Sequence, residues 1–310
     1  MSEWAKSPLF TPKTWIVWGG NGFVGRSLTR VLSETNSVIS ITRNRNGQLI
    51  ARYLSQIQYI TPIFDKNPMV SILKHFKPTV VINAAAIASV DNCAEDPTKA
   101  FLENATFPQN LAMETSKFGA KFIHLSTDAV FGQKGSYFSE DQTPEPNSVY
   151  SQSKLEGEQK VSMMDPNALI IRTRPIGWDF GGKTLFEYFS SHLRMGLEVK
   201  GFTNVFFTPI FIDTAIKAIV HLVEINEKGV WHVVAGERMS KFDFGVLVAE
   251  IQGASPKLLI KAMYVPDSIM GERGLDTSLS NSKLQIRYGL VPSVASSLRT
   301  AEMNKRQEKV

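Results

Sequence analysis

The stretch VYSQSKLEGE at residues 149–158 sets Tyr150 and Lys154 four positions apart. On a helix such residues share a face, which places an ammonium beside a phenol. A phenol in that setting can pass its proton to a neighbouring oxygen, and a nearby positive charge tunes the transfer. The same spacing also serves an ordinary packed and snorkelling pair. The rest of the chain has to decide between these uses.

A second chemical signal is WGGNGFVGRSL, with Gly19, Gly22 and Gly25 in the spacing G-x-x-G-x-x-G. A strand is predicted before it (14–20) and a helix after it (25–35), the setting of a dinucleotide site. Glycines there allow a tight turn and close backbone approach to a pyrophosphate, and the helix N-terminus favours negative charge. A plain strand–helix corner is the alternative use of such glycines. The predicted second strand, 37–43, ends in Arg43 rather than an acid. An acid would bind the ribose hydroxyl of NAD, whereas an arginine pairs with the 2′-phosphate of NADP. NADP(H) is therefore the expected cofactor and NAD(H) the secondary one. Arg45 on the next loop is a second cation. Asp65 is placed to meet an adenine amino group, or to cap a helix.

These residues need a frame. TWIVWGG, SVISITR, IQYITPIF (57–64), PTVVINAAA (78–86), AKFIHLST (120–127) and NALIIRTRP (167–175) read as strands. PMVSILKHF (68–76), a long helix over 97–119 and the helix around Lys154 alternate with them. Strand–helix alternation with β-branched runs predicts an α/β fold, a Rossmann-type doubly wound parallel sheet. The dinucleotide-binding domain is expected over 1–175, with part of 205–235 rejoining it. Residues 176–310 are expected to form mainly a smaller substrate-binding lobe, including a helix that starts at a Ser240 cap.

Composition narrows the class. With 43% hydrophobic and 20% charged residues, 310 residues describe an ordinary globular chain with a full core. Five histidines and the single Cys93 argue against disulfides and against a metal cluster. Basic residues are scattered, so no nucleic-acid stripe is expected, and the tail NKRQEK reads as a solvated helix end. No uninterrupted apolar run is long enough to span a membrane. The start MSEWAKSPLFTPK lacks a basic region followed by an apolar stretch, so a cytoplasmic location is expected.

The motifs GGNGFVG, VVINAAAIASVD, AFLENATFPQNLA, IHLSTDAVF, VYSQSKLEGE, RTRP and LDTSLSNSKL together resemble the extended short-chain dehydrogenase/reductases. Within them, the STD-V-F stretch and DTSLSNSKL resemble the dTDP-4-dehydrorhamnose reductase group of sugar-nucleotide enzymes. The resemblance implies that Tyr150 is the general acid and that Lys154 lowers its pKa and binds the nicotinamide ribose. It implies that Thr127 holds the substrate carbonyl and that Asn104 anchors a proton-relay water. It adds cofactor contacts from Phe23, Val24, Ala84, Ala85 and Ala86, with Pro175 and Ile176 beside the nicotinamide. Ser126 is expected to point away from Thr127 and to be a secondary cofactor contact. A homodimer is expected by analogy.

The expected substrate is a nucleotide sugar, with Asp128, Trp178 and Lys183 as its contacts and Arg172 and Arg174 near the cleft. Ala129 stands where related 4,6-dehydratases carry a second acid, which disfavours dehydration. The expected reaction is reduction of a 4-keto sugar nucleotide. The alternatives are epimerisation and a non-catalytic NADP-binding regulatory role.

Overall fold

The computed structural model describes residues 12–43, 49–53, 58–59, 67–132, 134–178, 184–265, 274–289 and 291–307. Asp65, Arg45 and Lys183 lie outside the described residues.

The first half forms strands β1 (Thr14–Trp18), β2 (Ser37–Arg43), β3 (Leu49–Tyr53), β4 (Gln58–Tyr59), β5 (Val80–Asn83), β6 (Lys121–Thr127) and β7 (Leu169–Thr173). Helices α1 (Phe23–Leu32), α2 (Pro68–Phe76), α3 (Val90–Glu95), α4 (Pro97–Phe101), α5 (Phe107–Lys117) and α6 (Val149–Met164) connect them. The second half adds β8 (Pro175–Ile176), α7 (Leu185–Arg194), β9 (Val199–Phe202), β10 (Phe206–Phe207), β11 (Ile210–Phe211) and α8 (Ile212–Glu224). It continues with β12 (Gly229–His232), β13 (Met239–Ser240), α9 (Lys241–Gln252), β14 (Leu259–Ala262), α10 (Ser282–Tyr288) and α11 (Val294–Gln307).

Eight strands form one sheet in the order β12-β7-β6-β5-β1-β2-β3-β4. The order reverses between β1 and β5, and a doubly wound sheet opens its ligand crevice beyond the strand ends at such a point. Alternate residues of β1 enter two different cores. Trp15 and Val17 pack with residues of α1, α7, α8 and α9, while Ile16 and Trp18 pack with residues of α2, α5 and α6. Both faces are thus covered, which is why the central strands are apolar throughout.

Four expectations change. The sheet is not parallel to its edge, because the β2–β3 and β3–β4 pairs are both antiparallel, with β3 running against the other strands. Only five residues separate β2 from β3, too few for the crossover that a parallel neighbour needs. The strand expected at 57–64 is represented among the described residues by β4 alone.

The single helix expected over 97–119 is α4, a π-helical turn at Leu102–Thr106, and α5. There the Phe107 N–H reaches five residues back to the Leu102 carbonyl. Pro108 has no N–H to offer the Asn104 carbonyl, so regular α-helical bonding is broken at this turn. The strand expected to run to residue 175 ends at Thr173. Pro175 then starts β8, which leaves the large sheet and pairs with β11.

β12 returns from the C-terminal half and pairs with β7, and α8 lies against α1. α7, β9, α9 and β14 pack together as a smaller layer beyond them. Ser240 caps α9 by accepting the Asp243 N–H, and Gly253 ends it in the left-handed region.

Candidate active site

The three motif glycines differ in what their missing side chains allow. A Cβ on Gly19 would lie 2.5 Å from the Ala85 nitrogen, and one on Gly25 would lie 2.2 Å from the Gly19 carbonyl oxygen. These two glycines let β1, the end of β5 and the start of α1 pack backbone to backbone, and Gly19 also needs its φ of +92°. Gly22 is different, since the nearest atom to its Cβ position is 3.6 Å away. It is the N-cap of α1 and supplies no side-chain cap. Among the described residues, no oxygen therefore caps the first-turn amides at Phe23, Val24 and Gly25, and a Cβ at Gly22 would make only an ordinary contact with the Gly19 carbonyl. That combination fits an anionic group such as a dinucleotide pyrophosphate.

Neighbouring segments close this corner. The Ala84 N–H donates to the Trp18 carbonyl, and the Ala85 N–H donates to the Asn83 side chain at 3.1 Å. Ala86 follows them in the same unpaired segment after β5. Gly177, two residues after Pro175, lies against the Phe23 ring. At the end of β2, the Arg43 guanidinium is bound to Glu103 at 2.6 Å and stands over the Phe107 ring.

Ser148 and Ser151 form a reciprocal capping box that fixes the start of α6. Tyr150 sits in that first turn, half-buried, with its phenol near enough to the Thr127 hydroxyl at the end of β6 for that hydroxyl to lower its pKa. Thr127 is itself fixed, because its hydroxyl accepts the Ala129 N–H at 3.2 Å and donates to Asp128 at 3.1 Å. The structure thus brings Tyr150 and Thr127 together at the C-terminal edge of the sheet.

Lys154, one turn further along α6, finds its partners on β6. Its ammonium donates to the Leu125 carbonyl at 2.7 Å and lies 3.4 Å from His124 Nε2. Burial lowers its pKa to about 8, against the pull of Glu158. His124 is wholly buried and hydrogen-bonded to Asn83 on β5; burial, aided by Lys154, holds its pKa well below the usual imidazole range.

The expected lowering of the phenol by Lys154 is not observed. Burial pushes Tyr150 above its ordinary value. The nearby Thr127 hydroxyl and the Arg174 guanidinium pull it down in part, while Asp128 and Cys93 add to the rise. A raised pKa keeps the phenol protonated at neutral pH, which is the form a proton donor needs.

Asn104 is fully buried and its amide is occupied. It accepts the Ile87 N–H at 2.9 Å and donates to the Ile87 carbonyl at 3.1 Å and to Ser153 at 3.0 Å. The side chain straps the segment after β5 to α6. Its main-chain carbonyl meets Gly157, where a Cβ would sit 2.2 Å from the oxygen.

Ser126 does not lead away from α6. Its hydroxyl donates to Glu158, two turns beyond Tyr150, and Glu158 is paired with Arg172 at 2.7 Å. Arg172, expected near the cleft, is instead buried in this pair, with its guanidinium over the Phe131 ring.

Asp128 is almost completely buried and ties three segments together. It receives the Thr127 hydroxyl, the Thr277 hydroxyl at 2.7 Å and, at 3.5 Å, Arg174. Arg174 retains a partly exposed guanidinium. Trp178 is half-buried, edge-on to Phe186 and Phe211. Glu158, Thr277, His124 and Glu103 were not among the sequence-derived candidates. Only Glu158 carried a periodic signal, following Tyr150 and Lys154 at the next four-residue step.

Comparison with known proteins agrees with this architecture. A dTDP-4-dehydrorhamnose reductase of Aggregatibacter actinomycetemcomitans is 28% identical over 294 residues, covering 90% of this chain and 94% of its own. A structure described as a dTDP-4-dehydrorhamnose reductase from Clostridium acetobutylicum superposes with a TM-score of 0.78 at 25% identity, covering 93% of this chain and 97% of its own. The Bacillus anthracis dTDP-4-dehydrorhamnose reductase in complex with NADP has the same fold, with a TM-score of 0.80 at 20% identity, covering 96% and 99%. Residues 13–301 match the RmlD substrate binding domain, and the chain belongs to that family.

Proposed function

We propose that this protein reduces the 4-keto group of a nucleotide-linked deoxysugar at the expense of NADPH. The observation that carries the reading is the convergence of Tyr150, from the first turn of α6, on Thr127 at the end of β6, the strand next to β5, whose opening toward β1 is the ligand crevice. Similarity to named dTDP-4-dehydrorhamnose reductases over about nine-tenths of the chain supports a sugar-nucleotide oxidoreductase.

A nicotinamide dinucleotide, when bound, supplies the hydride. The turn at Gly19–Gly25 would hold its pyrophosphate on the free amides of α1, and Arg43 would face its adenosine ribose. Thr127 positions the substrate carbonyl oxygen by hydrogen bonding. Tyr150 donates its phenolic proton to that oxygen as the carbonyl carbon is reduced, and reprotonation from solvent restores the phenol. Lys154 lies one turn further along the same helix, with its ammonium held on the Leu125 carbonyl, and takes no part in tuning the phenol. Arg174, partly exposed and electrostatically coupled to Tyr150, is placed to meet an anionic part of the substrate. Ala129 has no group to move a proton at a neighbouring carbon, which favours simple reduction over elimination.

The test is NADPH oxidation by the purified protein across dTDP-, UDP-, GDP- and CDP-linked 4-keto sugars, with the sugar product analysed. Stoichiometric formation of the 4-hydroxy sugar is expected. Isomerised sugar without NADPH consumption would indicate epimerisation, and NADPH binding without turnover on any of them would indicate a regulatory role.

A further inference from the structure

The C-terminal end of β2 is where a doubly wound sheet reads the adenosine ribose, with an acid for the hydroxyls of NAD or a cation for the 2′-phosphate of NADP. Here both kinds of group meet. Arg43 comes from β2, and its carbonyl accepts the Asn21 side chain of the glycine turn at 3.4 Å. Glu103 comes from the π-helical turn and binds the Arg43 guanidinium at 2.6 Å. Phe107, one residue after that turn, lies under the same guanidinium and against Trp18 at the end of β1. The arginine is thus bracketed by a carboxylate and a ring, both supplied by the segment that Pro108 forces out of regular α-helix.

On the basis of the dinucleotide reading proposed above, we infer that Glu103 is a cofactor-selectivity residue. Its carboxylate shares the Arg43 guanidinium and weakens discrimination in favour of NADPH. A guanidinium has donors on two edges, so one can stay on Glu103 while the other faces a ribose substituent. A 2′-phosphate brings a charge of about −1.5 to −2 beside that carboxylate, and the like charges repel. A ribose 2′-hydroxyl brings no charge and can donate to a carboxylate. The penalty from Glu103 therefore falls on NADPH and spares NADH. Only about a fifth of the Glu103 side chain is exposed, so the carboxylate stays where the π turn puts it.

Glu103→Gln keeps the shape and an oxygen for Arg43 but removes the charge. Dissociation constants for NADPH and NADH, measured by fluorescence titration without sugar substrate, should show NADPH binding roughly 5–10-fold tighter in the variant, with NADH within about twofold. The gain should shrink in about 0.5 M salt, where the screening length falls to a few ångströms. An unchanged NADPH-to-NADH ratio, or one shifted toward NADH, would overturn the role of Glu103 while leaving the dinucleotide site intact. Failure of the wild-type protein to bind either dinucleotide would overturn the site and this role together.

Discussion

The phenol of Tyr150, in the first turn of α6, lies near enough to the hydroxyl of Thr127, the last residue of β6, for that hydroxyl to lower its pKa. The pair converges because strand end and helix start are each pinned separately, the first by the Ala129 amide and the second by the Ser148–Ser151 capping box. Thr127→Val removes the hydroxyl beside the phenol and, with it, the proposed bond to the substrate carbonyl. Turnover should fall roughly 10–100-fold, with NADPH affinity unchanged within about twofold. Thr127→Ser should recover most of the loss. Steady-state kinetics with paired cofactor titrations check both.

The glycine turn separates folding from binding. Gly25→Ala puts a methyl group against the Gly19 carbonyl, and backbone cannot give way cheaply there. Thermal unfolding should show a loss of about 2 kcal/mol or more, or failure to fold. Gly22→Ala makes only an ordinary contact with the Gly19 carbonyl, at a φ of −74°, so stability should change by less than about 1 kcal/mol. NADPH affinity should nevertheless fall, because the methyl group fills the approach to the α1 amides.

Much of this frame was legible in the sequence, and the reasons are local. β1, β2 and β6 are short β-branched or aromatic runs whose ends are set by the glycine turn, Arg43 and Thr127. Tyr150 and Lys154 were legible because a four-residue helical spacing is fixed by geometry. The direction of Lys154 was not, since it depends on His124 and the Leu125 carbonyl, about thirty residues earlier in the chain. The Arg172–Glu158 pair and the Asp128–Thr277 bond were hidden for the same reason, and sequence offered no way to tell the buried Arg172 from the half-exposed Arg174. Pro108 was visible, yet its effect depends on α6 approaching at Gly157, a contact that only the fold reveals.

The buried pair beneath the site is structural. Glu158→Gln leaves the Arg172 guanidinium buried without its countercharge and should destabilise the protein by about 3–5 kcal/mol in urea unfolding. Replacing both residues with methionine should recover most of that loss. A loss in the double variant as large as in the single one would show that the neighbouring bonds to Ser126 and His232 matter more than the charge pair.

Lys154 makes a pH prediction. Its folded pKa of about 8 lies below the ordinary 10.5. Between these values the unfolded chain still binds a proton that the folded chain has released, so this residue's contribution to stability rises with pH across that window. Below about pH 8 both states are protonated and the full cost of burying the ammonium remains. Lys154→Met removes the titration. Its stability advantage over wild type should shrink by roughly 2–3 kcal/mol between about pH 7.5 and 10, measured by urea unfolding. A difference that does not vary with pH would show that the ammonium is not desolvated.

The most direct test of the central claim is the rate of hydride transfer in Tyr150→Phe, followed as NADPH absorbance in a single turnover with a dTDP-linked 4-keto-6-deoxy sugar. Loss of the phenolic proton should slow transfer by about 10²–10⁴-fold while NADPH binds within roughly threefold of wild type. Hydride transfer at the wild-type rate in that variant would contradict the assignment of Tyr150 as the proton donor.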